Sequence, residues 1–171
     1  VNPLPTATIV GTTAVCRNST SPNITFTGAA GTAPYTFTYK VNGGVNQTGS
    51  GTGGSSTAIV SASTTTAGTF VYTLVSVQDA SSTTCSQLQS GTATVTVNPL
   101  PTATIAGTTA VCQNAPSPNI TFTGAAGTAP YTITYKINGG TNQTVTTTGN
   151  SATVSVPTGT TGAFTYALVS V

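Results

Sequence analysis

The sequence predicts an all-β chain of tandem antiparallel β-sandwich modules, and three observations lead there. Apolar and polar residues alternate with period two in short runs, turn residues separate those runs, and one long stretch of sequence occurs twice.

The duplication sets the organisation. VNPLPTATIVGTTAVC at Val1 to Cys16 returns as VNPLPTATIAGTTAVC at Val97 to Cys112, an offset of 97 − 1 = 96 residues. Val1–Thr48 and Val97–Thr144 differ at seven positions: Val10/Ala106, Arg17/Gln113, Ser19/Ala115, Thr20/Pro116, Phe37/Ile133, Val41/Ile137 and Val45/Thr141. Further on, Phe70–Val77 matches Phe164–Val171 at an offset of 94, so two residues are lost in the variable stretch after Thr48, as in a surface loop. The expected organisation is therefore a first module over residues 1–97, a linker over 98–101 and a second module over 102–171. The second copy reaches only the counterpart of Val77 and is expected to lack its last strand. Pro99 and Pro101 fix φ in the linker and predict a semi-rigid connection.

Within the first copy each strand is expected for a local reason. Thr6–Ile9 and Thr13–Cys16 read as one broken strand. In Asn23–Thr27, Ile24 and Phe26 alternate with polar neighbours; in Tyr35–Val41, Tyr35, Phe37, Tyr39 and Val41 alternate with Thr36, Thr38 and Lys40. Each run would bury one face and wet the other. Asn42-Gly43, repeated as Asn138-Gly139, is a hairpin signal because both central residues of a type I′ turn need positive φ. Val45–Thr48 is then expected to return antiparallel. Thr57–Ala62, Thr69–Val77 and Thr92–Val97 complete about seven strands, the immunoglobulin-like pattern. Abundant Thr and Val, with frequent Gly and Pro, argue against helix.

Composition narrows the function. Charged residues make up 2% of the chain, against about 25% in a typical soluble domain. Three isolated basic residues, Arg17, Lys40 and Lys136, form no stripe for nucleic acid. No apolar run is long enough for a membrane helix, so no membrane insertion is expected of this segment. General acid–base chemistry has little to work with, because the chain holds no His and Asp79 is its only acid. Asp79 is expected to hydrogen-bond its own turn, Gln78–Ser81. One carboxylate makes no calcium cage, and a Lys–Asn crosslink at Lys40 or Lys136 would need a buried acid that the second copy does not offer. The Gly-rich run Thr48–Ser56 has no GK[ST] ending and reads as a loop. The expectation is a non-enzyme without metal or cofactor.

Cys16 and Cys85 fall in the first copy, and Cys112 aligns with Cys16. An even count per complete module reads as an intradomain Cys16–Cys85 disulfide, with the partner of Cys112 beyond the chain, and hence as a compartment outside the cytosol. Two buried free thiols are the alternative. Sequons at Asn18, Asn23, Asn46, Asn119 and Asn142 and the many strand threonines leave glycosylation open.

NPLPTATI at the module boundary, a Cys ending the first strand, PYTFTYKVNGG and AGTFVYTLVSVQDASSTTC together resemble the PKD-like, immunoglobulin-like repeats of large Bacteroidota cell-surface adhesins and gliding-associated proteins. The Trp-Asp-Phe-Gly-Asp-Gly-type motif of PKD domains proper is absent. The resemblance implies an extracellular, cell-surface or secreted stalk, fibre or filament whose partners are neighbouring repeats or identical chains. The alternatives are a module that binds glycans or surfaces weakly, with avidity from exposed Tyr, Asn and Thr, and a subunit that assembles by strand complementation.

Overall fold

The computed structural model describes residues 2–171, and every regular element among them is a strand. The chain divides into two compact units, Val1–Pro99 and Leu100–Val171, with the division inside the proline-rich linker.

In the first unit β1 (Thr6–Val10), β3 (Asn23–Ala29) and β6 (Thr57–Ser61) form one sheet in the order β1-β3-β6. The second sheet holds β2 (Thr13–Cys16), β9 (Thr92–Asn98), β7 (Gly68–Gln78), β4 (Thr36–Val41) and β5 (Gln47–Ser50) in the order β2-β9-β7-β4-β5, with β8 (Ser86–Leu88) also paired to β7. The two sheets face each other across an aromatic core. Phe26 of β3 lies 5.6 Å from Phe37 and 5.1 Å from Tyr39 of β4, ring centre to ring centre, within the range of attractive ring pairs. Burial pushes the phenol pKa of Tyr39 upward; burial and then the neighbouring Tyr39 do the same for Tyr72.

Three details depart from the sequence expectation. The unit has nine strands where about seven were expected. The two additional strands are β8, whose three residues are too short for alternation to show, and the one produced by the split of the first strand into β1 and β2. That split moves the chain from one sheet to the other at Gly11, whose φ of 129° only glycine adopts readily. A Cβ at Gly11 would also stand 2.6 Å from the Asn23 carbonyl oxygen. Once across, β2 runs parallel to β9, so the sandwich is mixed and not wholly antiparallel. The third departure is the return strand after the hairpin, which begins at Gln47 and not at Val45.

The second unit repeats this plan up to a point. β10 (Thr102–Ala106), β11 (Asn119–Ala125) and β14 (Ser151–Ser155) form one sheet. β13 (Gln143–Thr146), β12 (Thr132–Ile137) and β15 (Tyr166–Ser170) form the other. Phe122 and Tyr135 pack at 4.8 Å, as Phe26 and Tyr39 do in the first unit. Thr109–Cys112, the counterpart of β2, is not a strand, and β15 starts at the counterpart of Tyr72, four residues later than β7 does. Both differences fall on the two neighbours of β9. In the first unit β9 buries Ala93, Val95 and Val97 completely or nearly so, and Val95 and Val97 contribute about 2 kcal/mol each by that burial. The second unit has no such strand, and its Leu168 and Ile120 are half-buried where Leu74 and Ile24 are buried.

The hairpin turn ties β4 to β7 as well as to β5. Asn42 and Gly43 take φ of 49° and 69°, and Asn138 and Gly139 take 50° and 70°. The Asn42 side chain accepts from Val71 N–H at 2.8 Å through Oδ1 and donates from Nδ2 to the Thr69 carbonyl at 3.3 Å. Asn138 Oδ1 accepts from Thr165 N–H at 2.7 Å in the same way. Asn is thus required by its side-chain geometry as well as by its tolerance of positive φ. Asn42→Ala should lower the stability of the first unit by about 1–2 kcal/mol in urea unfolding, and Asn42→Gly should recover only part of that. Equal stability of Asn42→Gly and the unaltered chain would show that the side-chain bonds contribute nothing.

Candidate functional site

The chemically distinctive residues lie mostly in the loops at the two ends of the first unit. Cys16 closes β2 and pairs in register with Asn98, where the linker begins; Asn98 is itself the last residue of β9. At that end Arg17 N–H donates to the Asn98 carbonyl at 2.8 Å, and the Arg17 guanidinium donates to the Thr65 carbonyl at 2.9 Å. Gln113 Nε2 makes the equivalent bond to Gly159 at 2.9 Å, so the Arg17/Gln113 exchange between the copies keeps the contact and drops the charge.

Cys85 lies at the other end. Its carbonyl accepts from Asp79 N–H at 3.0 Å, just past the last residue of β7, and its Sγ is 3.2 Å from Thr83 Oγ1. Between the two cysteines runs the length of β7, whose first residue pairs with Val97 and whose last pairs with Ser86. Eleven residues of strand span roughly 35 Å at about 3.3 Å each, whereas a disulfide needs Cα atoms within about 7 Å. The expected Cys16–Cys85 bridge is therefore corrected: all three cysteines are free, Cys16 and Cys112 exposed and Cys85 half-buried. An even number of cysteines says nothing about which end of a sandwich each one occupies.

Asp79 is buried, and its carboxylate is the hub of the loops at the Cys85 end. Oδ1 accepts from Ser81 Oγ at 2.8 Å and from Ser81 N–H at 3.4 Å, while Oδ2 accepts from Thr32 N–H at 3.2 Å. The bond to its own turn was expected; the reach to Thr32 joins that turn to the β3–β4 loop. Gly31 passes so close that a Cβ there would stand 2.8 Å from Oδ2. Burial raises the carboxyl pKa, but the hydrogen bonds from Ser81, Thr32 and Cys85 outweigh it and hold the group below its ordinary value. Every donor to the carboxylate is a backbone amide or a hydroxyl, so the arrangement orients the loops around it.

Lys40 and Lys136 sit half-buried on β4 and β12; Lys40 pairs in register with Thr73, well along β7 from Asp79. The five sequon asparagines are all exposed, and Asn23 and Asn119 accept hydrogen bonds from Ser61 and Ser155. The Gly-rich stretch folds back as β5 and a tight turn, with Gly51 buried and bonded to the Tyr35 carbonyl at 3.0 Å. No group of three or more His, Cys, Asp or Glu able to hold a metal occurs among the described residues. All six tyrosines and all five phenylalanines are buried or half-buried, so the exposed tyrosines expected of an adhesive face are not present.

A carboxylate with a lowered folded-state pKa contributes stability that is complete above the unfolded value, about 3.9, and is lost as pH falls through the folded value. The urea midpoint of the first unit should therefore hold steady from neutral pH to about pH 5 and fall below about pH 4. Asp79→Asn should start lower and stay nearly flat; an unaltered chain with no acid limb would rule out the hub. Alkylation of the folded chain under mild oxidation should label all three cysteines, and recovery of a Cys16–Cys85 crosslinked peptide would contradict the placement of the two at opposite ends.

No protein-family model matches the chain, and no curated protein matches it.

Proposed function

We propose that the chain is a structural segment of an extracellular stalk, fibre or filament, in which the repeated sandwich is a spacer and not a catalyst. The observation that carries this reading is the near-identity of the two copies, each folded around its own aromatic core. A spacer needs a unit that folds on its own and can be repeated without change, whereas two binding or catalytic domains gain from diverging. The one buried acid is engaged in holding loops together, which fits a scaffold. The extracellular placement draws on the resemblance to Bacteroidota surface repeats, and no longer on a disulfide.

Weak adhesion is the second reading and has less behind it. Sugar-binding surfaces commonly stack the ligand on an exposed ring, and the described residues offer none. Adhesion would have to rest on exposed Thr and Asn hydrogen bonding alone, with avidity from repetition.

Small-angle scattering from chains of two, four and eight repeats tests the spacer reading. The largest dimension should grow in proportion to repeat number. Growth closer to the cube root, as repeats pack into a compact body, would overturn it. Saturable binding of the two-repeat chain on a glycan array would favour adhesion instead.

A further inference from the structure

The sequence holds two Asn-Gly pairs, Asn42-Gly43 and Asn138-Gly139, and each forms the tip of the same hairpin in its own unit. All four residues are exposed, and a Cβ at Gly43 or Gly139 would meet nothing within 4 Å, so the backbone that follows each asparagine is unshielded. Asparagine is a thermally labile residue, and a following glycine removes the bulk that keeps the next peptide nitrogen away from the side-chain amide carbon. What restrains the amide here is its own hydrogen bonding. Asn42 N–H donates to the Val71 carbonyl at 2.9 Å, Val71 N–H donates to Asn42 Oδ1 at 2.8 Å, and Asn42 Nδ2 donates to the Thr69 carbonyl at 3.3 Å. Asn138 and Thr165 exchange the equivalent backbone and side-chain bonds at 2.9 and 2.7 Å.

We propose that Asn42 and Asn138 are the chain's sites of spontaneous deamidation, and that these side-chain bonds set how fast they react. The Gly43 peptide nitrogen gives up its proton to water and attacks Cγ of Asn42. A bond forms between that nitrogen and Cγ, the Cγ–Nδ2 bond breaks, and Nδ2 takes up a proton and leaves as ammonia. Water then opens the resulting succinimide ring at either carbonyl, which leaves aspartate or isoaspartate. One water is consumed and one ammonia released, so the step needs no oxidant and no cofactor. Cγ reaches the Gly43 nitrogen only when the side chain turns away from Val71 and Thr69, and the reaction therefore runs through openings of the hairpin and not through the closed turn.

The product does not replace the asparagine. A carboxylate at position 42 still accepts from Val71 N–H, but it has no donor for the Thr69 carbonyl and sets negative charge beside that oxygen. Isoaspartate adds one backbone carbon and shifts the turn. Each event also removes one unit of net charge, from +2 to 2 − 1 = +1 after the first, in a chain with a single acid. Deamidation thus loosens the tie from β4 to β7 at the hairpin and marks the age of the unit. The inference concerns the turn alone and is independent of the spacer reading.

The test incubates the full chain at mildly alkaline pH, folded in buffer and unfolded in guanidinium chloride, and follows each asparagine by peptide mapping, with isoaspartate scored by enzymatic methylation. In the unfolded chain Asn42 and Asn138 should react ahead of the other asparagines. In the folded chain both should react at least about tenfold more slowly than in the unfolded one. The fraction deamidated at Asn42, and the Asn42→Asp variant that reproduces the aspartate product, should both unfold at lower urea than the unaltered chain. Equal rates in the folded and unfolded chain overturn the proposal, as does reaction of another asparagine ahead of these two in the unfolded chain. An unchanged urea midpoint for the deamidated fraction overturns the loosening of the hairpin.

Discussion

The constraint on which the complete repeat depends is the insertion of Thr92–Asn98 between the two segments that flank it. Those flanks, Thr13–Cys16 and the Gly68–Thr73 part of β7, lie far apart in the repeat and do not pair with each other. Each needs the central strand to complete its ladder, and the core needs Val95 and Val97 to close its floor. The second unit shows the consequence directly. With closely matching residues on both flanks but no central strand, one flank is irregular, the other is shortened, and the buried apolar core contracts to Phe122, Tyr131, Ile133 and Tyr135. Local β-propensity is therefore not enough to hold these segments as strands; cross-strand pairing and burial decide.

Much of the architecture was legible because it rests on local rules. Alternation along Tyr35–Val41 puts Phe37 and Tyr39 into the core, and Asn42-Gly43 takes the positive φ values that its chemistry favours. What could not be read was long-range. Parallel pairing of β2 with β9 joins residues about eighty positions apart and leaves no periodic mark. β8, with three residues, is defined by its partner β7 and not by its own pattern.

The candidate site shows the same division. That Asp79 would bond its own turn followed from residue type, because Asp favours that geometry. Its second bond, to Thr32, depends on the loop topology and is visible only in three dimensions. The cysteine pairing failed for a related reason: counting thiols assumes that they can meet, whereas β7 holds Cys16 and Cys85 at opposite ends of the sandwich.

Amide hydrogen exchange on the 171-residue chain tests this dependence most directly, because two nearly identical sequences are compared in one molecule. Thr13–Cys16 and Gly68–Phe70 should be protected, and Thr109–Cys112 and Gly162–Phe164 should exchange at least about 100-fold faster, as unpaired segments do. Equal protection of the two sets would contradict the account, by showing that these segments hold their strands without the central one.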